Sequence, residues 1–165
     1  MQTYTVQKNE HREITITESG EYLVELVGPG AEATIGGTFL AENSDHIDIH
    51  LVIHHKAPNT LANTTLKGVG RDRSKITFLG RIIIDPECGN SNSLLTERIL
   101  LLSDTASADA IPELEILTDD VKCSHAASVS RIPEEHIFYL MSRGISRKEA
   151  EEMVIEGFLE SSSNE

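Results

Sequence analysis

Cys123 and His125, within Asp119-Asp120-Val121-Lys122-Cys123-Ser124-His125-Ala126-Ala127-Ser128, are the pair in this chain whose types and spacing suit chemistry. Cys123 is one of only two cysteines. In an extended backbone, residues i and i+2 point to the same side of a sheet, so thiol and imidazole share a face with α carbons roughly 6–7 Å apart. A thiolate and an imidazole at that separation can both reach one iron or zinc ion. Two donors do not complete a site, and the remaining ligands must come from elsewhere, another subunit included. The plain alternative is a small buried hydrophobe beside a hydrogen-bonded histidine.

Other candidates are weaker. His46, His50 and His54 share a strand face with Asp48, but four residues of strand span roughly 13 Å, too far for His46 and His50 to close on one ion. A solvated outer face is the expectation there. His54 and His55 point to opposite sides. Cys88, in Pro86-Glu87-Cys88-Gly89, reads as an exposed turn thiol with no base or cation beside it to activate it. No Walker-type glycine loop occurs, so the chain carries no ATP site of that kind.

A chain of 165 residues is one domain's worth, long enough to bury a core. Aromatic residues make up 4% and tryptophan is absent, so the core must come from Ile, Leu, Val and Ala, which suits stacked strands. With 27 acidic residues against 14 Lys and Arg, the net charge is −13, which repels phosphate backbones and argues against nucleic-acid binding. No apolar run approaches the ~18 residues of a membrane span. Residues 1–12 lack a hydrophobic signal-peptide core, and two distant cysteines do not make a disulfide framework. The expected location is cytoplasmic.

The organisation expected is an N-terminal arm (1–20), a β core (21–131), a helical segment (132–160) and a polar tail (161–165). Strand signals come at short intervals: 22–27, 33–35, 47–53, 64–69, 75–79, 82–84, 98–102, 113–117 and 121–125. The clearest alternation is Ile47, Ile49, Leu51, Ile53. Leu26-x-Gly28-x-Gly30 recurs as Leu66-x-Gly68-x-Gly70, an offset that fits two solenoid coils of about 20 residues each. Strands without intervening helices leave a sandwich, a barrel or a β-helix. Beyond Ile132 the pattern turns helical. Pro133 suits a first helical turn and Gly144 closes that helix. Ser146-x-x-Glu149 is a capping box that opens a second helix. On that helix Ala150, Met153, Val154, Gly157 and Phe158 form one apolar stripe. On the first, Ile137, Leu140 and Met141 form a stripe with Phe138 beside it.

Pro112-Glu113-Leu114-Glu115-Ile116, the Cys123-x-His125 motif and Ile137-Phe138-Tyr139-Leu140-Met141-Ser142-Arg143-Gly144-Ile145 together resemble the C-terminal signature of the SufB/SufD family, proteins of the SUF iron–sulfur cluster assembly machinery. The likeness is densest over 100–159 and extends more loosely to Phe78-Leu79-Gly80 and His54-His55-Lys56-Ala57-Pro58-Asn59. It implies a right-handed parallel β-helix with a C-terminal helical hairpin, shorter than in full-length relatives. It also implies a non-enzymatic scaffold that holds an iron–sulfur cluster transiently. The histidine matching His125 is implicated at the interface of two paired subunits, and Cys123 belongs to the same motif in the SufD-like branch. The SufB-like branch has a cysteine where this chain has Ile116, and a glutamate where it has Ala126, so the chain sides with SufD. The resemblance implies two partners, a SufB-like subunit or second copy at the β-helix and a SufC-type ABC ATPase on the helices. Ile137, Phe138, Leu140, Met141, Met153, Val154 and Phe158 are the expected ATPase contacts. The alternatives are an interaction solenoid that has lost cluster chemistry, and a β-helix carbohydrate-active enzyme, which would need clustered acids along one coil face.

Overall fold

The computed structural model describes residues 1–160; the tail expected at 161–165 lies outside the described residues. Ten strands precede two helices: β1 (Gln2–Val6), β2 (His11–Ile16), β3 (Gly20–Leu26), β4 (Glu32–Ala41), β5 (His46–His55), β6 (Leu61–Gly70), β7 (Lys75–Ile84), β8 (Ser91–Leu101), β9 (Ser107–Ile116), β10 (Val121–Arg131), α1 (Glu134–Ser142) and α2 (Arg147–Glu160). Odd strands form one sheet in the order β1-β3-β5-β7-β9, and even strands form the other, β10-β8-β6-β4-β2. Every pairing is parallel. Each coil therefore lays one strand in each sheet, which makes the chain a parallel β-solenoid. The segment expected as an arm supplies β1 and β2, which pair with β3 and β4 as the first coil.

The coil length departs from expectation. Gly20 pairs with Ile49, Glu32 with Leu61, Leu61 with Asn92 and Lys75 with Ser107, so a full coil takes 29 to 32 residues. Only the first is shorter, with Gln2 opposite Tyr22 and His11 opposite Glu32. The glycine echo is thus not a repeat of two coils. Gly28 and Gly30 lie in a turn, whereas Gly68 and Gly70 lie within β6.

The period-2 alternation decides what fills the solenoid. Ile49, Leu51 and Ile53 of β5, Phe78, Ile82 and Ile84 of β7, Leu66 of β6, and Leu95 and Ile99 of β8 point inward and are fully buried. Each such side chain contributes about 1.5–3 kcal/mol on burial, so a nearly aliphatic sequence still builds a core. The main aromatic contact is Phe39 against Phe78, with ring centroids 5.6 Å apart and planes tilted by 57°.

Corners are turned by residues that tolerate left-handed backbone. Asn9, Asn43, Asn59, Asp72 and Asn90 all have φ between 55 and 59°, where Asn and Asp are favoured among non-glycine residues. Stacked corners also bond to each other: Asn90 Nδ2 donates to Asn59 Oδ1 at 2.7 Å, and the Asn43 amide donates to Asp72 Oδ2 at 3.0 Å.

The helix signals are realised with one shift. Ser146 and Glu149 form the capping box, the Ser146 amide donating to Glu149 Oε2 at 3.0 Å and the Glu149 amide to Ser146 Oγ at 3.3 Å. Gly144, at φ 88°, closes α1: its amide donates to the Met141 carbonyl and that of Ile145 to the Leu140 carbonyl, the paired bonds of a Schellman end. Pro133 is the N-cap, with ψ 125°, rather than the first helical residue. The two helices pack together as a hairpin on the outer face of the even sheet. Lys67, Val69 and Leu100 point outward from that sheet yet are buried there. Lys67 Nζ donates to the Phe158 carbonyl at 2.9 Å, and both Lys67 and Arg98 lie over the Phe158 ring. Burial, and then the charge of Arg98, lower the Lys67 pKa.

Candidate functional site

Because the hairpin covers a flank, it leaves the C-terminal end of the solenoid open. β9 and β10 are the last strands of their sheets, each hydrogen-bonded on one side only among the described residues. Their inward stripes are Ala108, Ala110, Pro112, Leu114 and Ile116 on β9, and Val121, Cys123, His125, Ala127 and Val129 on β10. The phase follows from register, since Cys123 stacks on Ser93, His125 on Leu95 and Ala127 on Glu97, while Pro112 stacks on Gly80. In any inner coil these positions would be buried. Here Leu114, Ile116 and Val129 are 40, 39 and 44% exposed. Pro112 is tolerated because β9 is an edge strand.

Cys123 and His125 share this inward stripe, as the i, i+2 spacing predicts. Cys123 is half-buried against the core, and burial raises the pKa of its thiol, which keeps it protonated in the isolated chain. His125 is exposed at the open end. Among the described residues, no group of three or more His, Cys, Asp or Glu side chains is placed to hold a metal ion.

The other sequence candidates separate cleanly. His46, His50 and His54 point outward; His50 Nε2 lies 3.1 Å from Asp48 Oδ1 and His54 Nε2 lies 2.8 Å from Asp85 Oδ1. Those are surface ion-pair geometries and do not converge. Cys88 is buried, not exposed, because the turn after β7 folds it into the core cluster. Burial raises its thiol pKa, so the expectation of an unactivated thiol stands while that of exposure does not. His55 is fully buried on the inward side. Its Nδ1 lies 2.7 Å from Thr60 Oγ1, which is 2.9 Å from Ser91 Oγ. Nε2 of His55 has no partner, and burial followed by the neighbouring His54 lowers its pKa to about 4.

The expected ATPase contacts fall on two sides of the hairpin. Ile137 is buried, while Leu140, Val154 and Phe158 are half-buried. Phe138, Met141 and Met153 face solvent, Phe138 at 74% exposure, and Tyr139 joins them. A stripe drawn by spacing alone misplaces Met153, because Ile155 and Leu159, rather than Met153, are half-buried alongside Val154 and Phe158.

One residue was not anticipated. Glu97 lies on the inward side of β8, fully buried, with neither carboxylate oxygen hydrogen-bonded. Desolvation raises its pKa from 4.5 to about 7. Gly80, on the facing strand, makes room for it: a Cβ there would sit 2.7 Å from Glu97 Oε1. The signal was present in the alternation of Leu95, Ile99 and Leu101, whose phase puts Glu97 inside.

A parallel β-solenoid with one open, apolar end bearing a thiol and an imidazole, and with a flanking helical hairpin, defines a recognisable class of scaffold. Residues 13–158 match the SufBD core domain, described as "SUF system FeS cluster assembly". The chain belongs to the SufBD family. It is 32% identical over 160 residues to an iron–sulfur cluster assembly SufBD family protein of Mycobacterium leprae, covering 89% of this chain and 41% of that protein. It is 36% identical over 135 residues to iron–sulfur cluster assembly protein SufB of Bacillus subtilis, covering 82% of this chain and 29% of that protein. A SufBD family protein of Staphylococcus saprophyticus is 34% identical over a stretch of the same length. The chain thus spans less than half the length of these relatives.

Proposed function

We propose that this chain is one half of an iron–sulfur cluster assembly scaffold, closed at the open end of its solenoid by a SufB-like subunit or a second copy of itself. The observation that carries the reading is the exposure of inward-phase Leu114, Ile116 and Val129 beside the two free strand edges. Unpaired edges and exposed apolar surface are what a parallel stack leaves when its next layer belongs to another chain. Cys123 and His125 stand on that same end, so a nascent cluster, the cargo of the scaffold, would be held by these two donors together with ligands from the partner. Ile116 occupies an inward position of the opposite stripe without a thiol, which fits a SufD-like half that relies on its partner for that sulfur. The outward residues Phe138, Tyr139, Met141 and Met153 offer an ABC-type ATPase an apolar surface that leaves the hairpin's own packing intact. No step of this reading asks the chain to turn over a substrate.

Anaerobic co-purification from the native host, with partner identification and iron and acid-labile sulfide analysis, tests it. The expected result is a complex containing an ATPase and a solenoid partner, with iron and sulfide present. A monomer that carries a cluster without any partner would falsify the shared site.

A further inference from the structure

Both outer faces of the solenoid carry apolar side chains, but among the described residues only one face is covered. On the even sheet, Val69 and Leu100 point outward and are buried beneath the helical hairpin, at 0 and 6% exposure. On the odd sheet the inward phase of Ile49, Leu51, Ile53, Phe78 and Ile82 leaves a second apolar set outside. It consists of Leu23 on β3, Val52 on β5, Leu79 and Ile83 on β7, and Ile111 on β9. Leu23 pairs in register with Val52 and Leu79 with Ile111, while Val52 pairs with Arg81, which stands between Leu79 and Ile83. These residues therefore form one patch, about 14 Å wide over three strand steps and about 13 Å long on β7. Ile111 is 44% exposed, and the others are half-buried by their own neighbours. The helices pack on each other and on the even sheet, not on this face. Parallel sheets are ordinarily covered on both faces.

The covered face shows how sheet and cover are matched in charge. Lys67 and Arg98 stand on the even sheet over the Phe158 ring, and α2, which carries that ring, has five glutamates against one arginine and one lysine. The odd face has the opposite balance. Glu21, Glu25, Asp48, Asp109, Glu113 and Glu115 are its outward carboxylates, against Lys75 and Arg81. Both of those cations are already engaged, Lys75 with Asp109 at 3.7 Å and Arg81 with Glu113 at 3.9 Å and with Glu115. We infer that this face docks an amphipathic helix of a partner protein, with Leu or Ile along one side and Lys or Arg flanking them. The length of the patch matches two to three helical turns of 5.4 Å. A second copy of this chain, an anionic lipid surface or a nucleic acid would bring like charge to like, and the net charge of −13 opposes all three. The docking face uses neither the inward residues of the open end nor the outward residues of the hairpin, so it adds a partner to those proposed above.

The test replaces Leu79 with p-benzoylphenylalanine in the full chain, expressed in its native host. Ultraviolet irradiation of the cells then joins position 79 to whatever covers the face, and mass spectrometry reads the joined segment. The expected segment belongs to another polypeptide, has apolar residues at helical spacing and is flanked by Lys and Arg. Glu21→Lys combined with Glu113→Lys should lower the yield at least about fivefold. Glu135→Lys combined with Glu152→Lys makes the same change in net charge on the hairpin and should leave the yield as it is. All four glutamates are exposed, so both double variants should fold. The inference is overturned by no joined segment, by a second copy of this chain, by a segment without Lys and Arg, or by an equal loss in both double variants.

Discussion

Replacing Glu97 by glutamine should stabilise the folded chain by an amount that grows with pH. The carboxyl is fully buried and unpaired, and its pKa rises from 4.5 to about 7 because burial disfavours the charged form. Above pH 4.5 the unfolded chain releases this proton while the folded chain retains it. The folded state then binds more protons, so its stability falls as pH rises, and the fall ends above about 7. At about 1.4 kcal/mol per pH unit, the window amounts to about 3 kcal/mol. Glutamine has nearly the same shape and does not titrate, so the two proteins should be of similar stability near pH 4. By about pH 8 the variant should be ahead by about 3 kcal/mol, or about 6–12 °C in melting temperature for a chain of this size. Urea denaturation followed by circular dichroism across this range measures the difference directly, and groups common to both proteins cancel. A difference that stays flat with pH would mean that Glu97 titrates as a solvated acid, and would refute the reasoning.

Three further predictions concern His55 and the helical hairpin. The His55 pKa falls from 6.5 to about 4, so between those values the unfolded chain binds the extra proton and stability rises with pH. That contribution, about 3 kcal/mol, is complete above pH 6.5 and lost as pH falls toward 4. It opposes the Glu97 term over most of the same range, so the acid limb should steepen in Glu97→Gln and become shallower again when His55→Gln is added. On the hairpin, Phe138→Asp with Met153→Asp should abolish ATPase co-purification while changing unfolding free energy by less than about 0.5 kcal/mol, because both side chains face solvent. Phe158→Asp, by contrast, should destabilise the hairpin, since its ring lies beneath Lys67 and Arg98; equal effects on stability would contradict this division.

Much of the fold was legible because a solenoid strand must alternate. Ile47 through Ile53 announced β5, and the outward set of His46, His50 and His54 was correctly read as a surface face. Gly144 and Ser146-x-x-Glu149 named the helix ends, since caps depend on local chemistry alone. The coil length was not legible, because the corners vary in length and the glycine echo mixed a turn with a strand. Cys88 was misjudged because a turn sequence does not reveal which side chains fold inward. Glu97 was overlooked because Thr96-Glu97-Arg98 is polar throughout, and only the phase of Leu95 and Ile99 tells which member is buried. The spacing of Cys123 and His125 gave their common face; their place at an open end required the register of β10 on β8.

The claim at the centre is that the open end, through His125, is where a cluster is assembled between two chains. The direct measurement is the iron and acid-labile sulfide content of the anaerobically reconstituted complex, made with wild-type chain or with His125→Ala. His125 is exposed and contributes little packing, so the variant complex should assemble with the same partners. It should contain little iron and sulfide. Wild-type loading by an intact His125→Ala complex would contradict the account.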